Sequence, residues 1–335
     1  TYPSILLVEK GKPEAAAKTL AATFTDPSQL ERLDETLATV GFSMPIDALK
    51  ADGWMLERPD VLALMEKLSK AGKPLGEYVQ GKFYYGIKTG LNEAFVIDET
   101  TRQQLIAEDP KSSELIKPWL RGRDIRKWKA QWAGLYLITI ASSVNREWPW
   151  SKEKSETKAI PLLAKAYPAI YRHLSQYEDK LRIRDDQGKF WWELRSCVYW
   201  EEFERQKIIY PDIAQSSKFT WVESTAFLGN TAYMIPTNEE WLVGLLNSKL
   251  IWWFYLNISS MIQGGFVRFI AQYIEQIPIP SATDAQKALI SELVRKILAD
   301  PDSPAVPRLE EEIDKLVYAL YDLTTEEIRI IEKEK

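Results

Sequence analysis

The sequence predicts an α+β fold: a loop-rich mixed sheet with packed helices, ending in a C-terminal helical hairpin. Three observations lead there. Between residues 82 and 280, short β-branched and aromatic runs alternate with polar loops. Two longer apolar stretches in the same region have the length of helices. After residue 281 the apolar residues recur at amphipathic helical spacing.

In chain order, Ser4–Val8 is a short apolar run and predicts a strand. Gln29–Val40 places Leu30, Leu33, Leu37 and Val40 on one helical face. Trp54–Leu56 predicts a short strand. Asp60–Ala71 is an amphipathic helix carrying Val61, Leu62, Leu64, Met65 and Leu68, stopped by Gly72 and Pro74. Strands follow at Phe83–Ile87, Ala94–Ile97, Leu135–Ile140, Lys207–Tyr210, Thr220–Val222 and Ala232–Ile235. Helices are predicted at Leu162–Lys180 and Trp241–Leu256. The tail gives helices at Asp284–Leu298 and Arg308–Tyr321, with a Pro-rich linker over 300–307. Thr237/Glu240 and Thr324/Glu327 each have capping-box spacing.

The stretch Trp241–Ile258 approaches the length of a bilayer span. Asn247, Ser248 and Lys249 stand at its middle, where polar and charged groups are costly in lipid. It reads as a buried helix, and no membrane partner is expected.

Among the 335 residues there is one Cys, Cys197, and one His, His173. That excludes a disulfide framework, a Cys-cluster zinc site and a multi-His metal site. A reducing cytoplasm is expected. The first residues offer neither Met nor a basic secretory region, so a piece of a longer protein is expected.

The net charge of −5 is unevenly spread. Residues 1–79 carry −3, residues 80–280 carry +3 and residues 281–335 carry −5. Lys117–Trp132 holds Lys117, Arg121, Arg123, Arg126, Lys127 and Lys129 against Asp124 alone, with Trp119, Trp128 and Trp132 interleaved. A second cluster sets Lys180, Arg182, Arg184, Lys189 and Arg195 around Trp191 and Trp192. Such groups neutralise phosphates or read guanine edges. The ordinary alternative is a solvated face over packed Trp.

Catalytic motifs are missing. Adenine methylation needs a cofactor-binding Gly turn and an acid or amide beside Pro-Pro-aromatic, and no Pro-Pro occurs. There is no strand–Gly-x-Gly–helix, P-loop or nucleophile elbow. Glu156/Lys158 and Glu178/Lys180 have the Glu-x-Lys spacing of metal nucleases, without a Pro-Asp just upstream. His173 reads as a packed or surface helix residue, and Cys197 as a structural thiol.

Several strings then fall in order: Tyr85-Gly-Ile-Lys-Thr-Gly-Leu-Asn92, Ile116-Lys-Pro-Trp-Leu-Arg-Gly-Arg-Asp-Ile125, Lys207-Ile-Ile-Tyr-Pro-Asp-Ile213, Leu245-Leu-Asn-Ser-Lys-Leu250, Gly264-Gly-Phe-Val-Arg268, Gln276-Ile-Pro-Ile-Pro280 and Ile313–Tyr321. Over residues 72–335 the chain resembles the TaqI-like C-terminal specificity domain of adenine-specific DNA methyltransferases and type IIG restriction–modification enzymes. The resemblance implies a target recognition domain for double-stranded DNA. Catalysis and S-adenosylmethionine would belong to an N-terminal methyltransferase domain of the same polypeptide, with no cofactor in this fragment. It implies three segments: 1–71, a last methyltransferase strand and helical linker; 72–281, the recognition domain; 282–335, a helical segment packed on it.

Under this resemblance the DNA-binding candidates are Lys88, Thr89, Asn92, Arg121, Arg123, Arg126, Lys129, Arg182, Arg184, Gln263 and Arg268. Lys88 and Asn92 sit on a glycine-bracketed tip; the alternative there is a tight hairpin whose Asn92 bonds its own backbone. Gln263–Arg268 is either a DNA loop or a helix cap. The expected face is concave and basic, with the acidic terminal helices turned away. A stand-alone Mg-dependent nuclease and a protein-interaction scaffold remain the alternatives.

Overall fold

The computed structural model describes residues 7, 10–12, 14, 17–22, 24, 26–46, 49, 56–262 and 264–333. The predicted strands at 4–8 and 54–56, apart from Leu7 and Leu56, and the candidate Gln263 lie outside these residues.

The architecture is α+β, as the sequence predicts. One four-stranded antiparallel sheet runs Thr220–Val222, Lys207–Pro211, Ala232–Pro236, Tyr84–Tyr85. A second runs Phe227–Leu228, Ile116–Leu120, Leu135–Ile138, Val96–Asp98. It is mixed, because Phe227–Leu228 pairs parallel with Trp119–Leu120 while the other pairs are antiparallel. A third, small sheet has Phe266–Arg268 between Ile213–Ala214 and Met261–Ile262.

The strand Lys207–Pro211 explains why its sequence is apolar without alternation. It is buried along its whole length. Ile208 and Tyr210 face one hydrophobic core and Ile209 faces another. A strand covered on both sides needs apolar residues at both parities. Its neighbour repeats the pattern, with Ile235 in the first core and Met234 in the second.

The first core joins the helix Pro59–Lys70, through Val61, Leu64 and Leu68, to Leu242, Phe254, Ile290, Ile313 and Val317. The second gathers Phe95, Leu137, Trp150, Ile170, Trp191, Trp192 and Phe227. Most of the Trp interleaved with basic residues are therefore packing groups: Trp119, Trp128, Trp191 and Trp192 are all buried. Packing also crosses the expected segment boundaries. Gly72–Pro74 pairs with Pro278–Pro280, and Lys67 donates to Glu327 at 2.7 Å.

Two predicted helices are interrupted. Leu162–Lys180 becomes Glu156–Ala166, Pro168–Ser175 and Glu178–Arg182. Pro168 disfavours helical backbone at Tyr167 and opens the next helix instead. Trp241–Leu256 becomes Trp241–Leu246 and Lys249–Ile258. Asn247 breaks it, because its amide accepts from Phe219 N at 3.1 Å and donates to Phe219 O at 2.8 Å. Ser248 then caps the second half through Ile251 N. Among the described residues no helix is long and apolar enough to cross a membrane.

Ala94–Ile97 is also corrected: Asn92–Phe95 is one helical turn and the strand is Val96–Asp98. The tail helices are Asp284–Ala299, Val306–Leu320 and Thr325–Lys333. The Thr324/Glu327 box forms in both directions, at 2.7 and 3.3 Å. The Thr237/Glu240 box does not, since Thr237 Oγ1 accepts from Glu239 N and Glu240 is drawn to Arg295 at 2.6 Å.

Candidate nucleic-acid interface

Three strand ends converge: Leu120, Pro211 and Leu228. The loops that leave them, with the turn at Asn92, wall a cleft of about 790 Å³. It is lined by Asn92, Arg121, Arg123 and Arg126 among the expected residues, and by Asp212, Lys218, Asn230 and Thr231, which sequence reading missed.

Local geometry explains the convergence. Gly122 donates its N–H to Thr231 Oγ1 at 2.9 Å. A Cβ at Gly122 would sit 2.1 Å from the Thr231 carbonyl oxygen, so only glycine lets the two loops close. Arg121 folds back on Asp124, donating from Nε at 2.8 Å and from Nη2 at 2.7 Å. Burial opposes ionisation of Asp124, yet the Arg121 bonds hold its carboxyl below the ordinary carboxylate value. Arg121 thus shapes the turn and offers little charge. Arg123 and Arg126 are exposed, and Arg126 Nη1 donates to the Arg123 and Ile125 carbonyls.

Arg268 reaches the rim through Asp212, with Nη2 donating to Oδ2 at 3.0 Å. Lys88 is exposed on a neighbouring pocket with Arg195, Cys197 and Tyr199. Ile87 bridges to Gly229, so the two pockets share one strand-end ridge.

Other expected residues are placed differently. Thr89 is buried, and its hydroxyl donates to Asn92 Oδ1 at 2.7 Å. Arg184 is buried; its guanidinium donates to the carbonyls of Thr89, Trp191 and Glu193 and lies over the Phe95 ring. Burial lowers its pKa to about 10, against the pull of Asp186. Arg182 is clamped between Glu156 at 2.6 Å and Glu178 at 2.7 Å. That pairing also occupies both glutamates of the Glu-x-Lys motifs, and Lys180 pairs with Glu93 at 2.7 Å.

The basic run itself is divided. Lys129 Nζ donates to both Asp302 oxygens, at 2.5 and 2.6 Å, and Lys127 pairs with Glu310 at 2.7 Å. The expectation that the acidic helices turn away is corrected here. They hold one end of the basic run, because the charges attract and Trp128 supplies an apolar anchor.

Sequence signals for the missed residues exist in hindsight. Lys218 ends the polar loop Gln215–Lys218 between two strands, and Asn230 sits in the turn after Gly229. Neither stands in a charge cluster, which is what the sequence reading weighed.

Residues 117–279 match the family model described as the TaqI-like C-terminal specificity domain. The chain is 27% identical over 284 residues to the type II methyltransferase M.PaeR7I of Pseudomonas aeruginosa, covering 83% of this chain and 44% of that protein. It is 24% identical over 350 residues to M.XhoI of Xanthomonas vasicola, covering 99% and 58%. The chain thus spans about half the length of these relatives. The fold is similar to that of the type IIL restriction–modification enzyme MmeI, solved in complex with DNA: TM-score 0.56, 14% identity, 75% of this chain and 35% of that one.

Proposed function

We propose that this chain recognises a specific double-stranded DNA sequence within a restriction–modification enzyme, in keeping with the match of residues 117–279 to the TaqI-like C-terminal specificity domain model. The observation that carries the reading is the cleft. Arg123, Arg126 and Lys218 come from loops about 90 residues apart and line one concavity on a chain of net charge −5. Convergent cations in an acidic protein are the footprint of a polyanion.

The interface we propose comprises Lys88, Asn92, Arg123, Arg126, Lys218 and Arg268. Thr89, Arg121 and Arg184 support it from below. Lys129 and Arg182 have their charge met within the protein. The parent we propose is a site-specific adenine-N6 DNA methyltransferase using S-adenosylmethionine. A cleft lined by arginines and a lysine does not fit a sulfonium cation, so the cofactor is assigned to the N-terminal methyltransferase domain of the same polypeptide. The division at 71/72 and 281/282 is kept as a proposal about segments, over shared cores. A cytoplasmic location goes with this reading.

The test is selection of bound duplexes from a random library by the 335-residue chain, followed by affinity measurements against salt. A consensus site and a falling log K with log salt support the reading. Equal binding of all sequences, or none, removes it.

A further inference from the structure

The free and the paired cations of the cleft differ in a way that separates their roles. Arg123 and Lys218 make no salt bridge among the described residues and line the open concavity. Arg268 does the opposite. It lies on the central strand of the small sheet, between Ile213–Ala214 and Met261–Ile262. Its own carbonyl accepts from Tyr255 OH at 2.6 Å. The neighbouring Phe269 N–H donates to Asp212 O at 2.8 Å. Backbone and side chain are therefore both tied to Asp212. The strand is reached by a turn with Gly264 and Gly265 at φ +84° and +74°, left-handed backbone that glycine adopts freely.

The side chain of Arg268 is 51% exposed, while that of Asp212 is 19% exposed. One Nη2 bond goes to the carboxylate, which leaves Nη1, Nε and the second Nη2 hydrogen without a hydrogen-bond partner among the described residues. Hydrogen bonding to Asp212 strengthens the charged form of Arg268. As a unit, however, the pair is neutral. A neutral pair adds little to phosphate attraction, which grows with unpaired positive charge. What it offers is a planar fork fixed in direction, and that suits two acceptors side by side.

We infer that Arg268, aimed by Asp212, is a base-reading residue that takes the paired N7 and O6 acceptors of a guanine, whereas Arg123 and Lys218 hold phosphates. Asp212 is the positioning residue. This rests on the DNA-recognition reading above, and it assigns the division of labour inside that reading.

The two Arg-to-Lys exchanges separate the roles, because they keep the charge and remove only the fork, while Asp212→Asn removes the carboxylate that aims Arg268. The 335-residue chain and its Arg268→Lys, Asp212→Asn and Arg123→Lys variants are each measured against duplexes carrying all four base pairs at every position of the selected site. Arg268→Lys loses roughly 5- to 150-fold discrimination at one guanine position, with discrimination elsewhere and the salt slope kept. Asp212→Asn weakens the same position. Arg123→Lys leaves discrimination unchanged at all positions. Full discrimination in Arg268→Lys, or an equal loss at every position, overturns the inference while sequence-selective binding by the parent chain still stands. If the unaltered chain selects no sequence, the functional reading fails and this inference with it.

Discussion

The indole N–H of Trp128 donates to Glu310 at 2.5 Å, and the same carboxylate accepts Lys127 at 2.7 Å. One acidic side chain on the Val306–Leu320 helix therefore satisfies a buried donor and neutralises a cation of the basic run. Removing it strands the indole N–H. Glu310→Ala is expected to destabilise the fold by about 1–3 kcal/mol. Glu310→Gln, which still offers an acceptor, loses less. Urea unfolding followed by Trp fluorescence checks the order, and equal stability of both variants with the parent counts against this role.

Arg184 marks the other way in which a basic residue leaves the surface. Its guanidinium ties the Thr89 carbonyl to those of Trp191 and Glu193, and so joins two loops that are far apart in sequence. Arg184→Met removes a charge-assisted set and takes the donor from the Thr89 and Trp191 carbonyls, while the Glu193 carbonyl keeps the Gly188 N–H at 3.2 Å. A loss of at least about 3 kcal/mol is expected. The salt slope of DNA binding stays unchanged in whatever fraction remains folded. A lowered slope in thermally intact protein makes Arg184 a direct contact instead.

Counterion release separates exposed from compensated cations. Arg123→Ala is expected to reduce the slope of log K against log salt by about 0.9. Arg182→Ala leaves it unchanged, because Glu156 and Glu178 already meet that charge. Fluorescence anisotropy across a salt series gives both numbers. Identical slope changes overturn the distinction between the two arginines.

His173 gives a clean pH probe, since it is the only histidine. Its Nε2 lies 2.9 Å from the Ala94 carbonyl, and burial pushes its pKa below the ordinary 6.5, opposed by that backbone bond. In the unfolded chain the ring takes its proton near pH 6.5; in the folded chain it does so only at lower pH. Below 6.5 the unfolded state binds more protons, so stability falls as pH drops through the window down to the folded value. NMR titration should place the folded ring below 6.5. His173→Gln should lose less stability between pH 7 and pH 5.5 than the parent. A folded midpoint at or above 6.5 contradicts this account.

Much of the fold was legible because periodicity is a local property. Thr220–Val222 was placed to the residue, and the helices after residue 281 differ from expectation by one or two positions. The breaks at Tyr167 and Asn247 were less legible. Pro168 was a visible signal. Asn247 was not, since its helix-breaking bonds go to Phe219, 28 residues away. The site divides in the same manner. Asn92, Arg123 and Arg126 were found because they stand in clusters or glycine-bracketed tips. Lys218 was missed because it has no basic neighbourhood in sequence, and Asp212 because the Tyr210–Ile213 string reads as a buried strand end rather than a contact.

By itself, the sequence determined the α+β class, the longer strands such as Lys207–Pro211 and Ala232–Pro236 and the tail helices, and through the order of its short strings, the family to which residues 117–279 are similar. Only the tertiary structure decided which cations remain available to a ligand. Lys129 meets Asp302 across 173 residues and Arg184 meets the Thr89 carbonyl across 95. Charge is neutralised by proximity in space, and a linear pattern carries no distance between segments that meet only after folding.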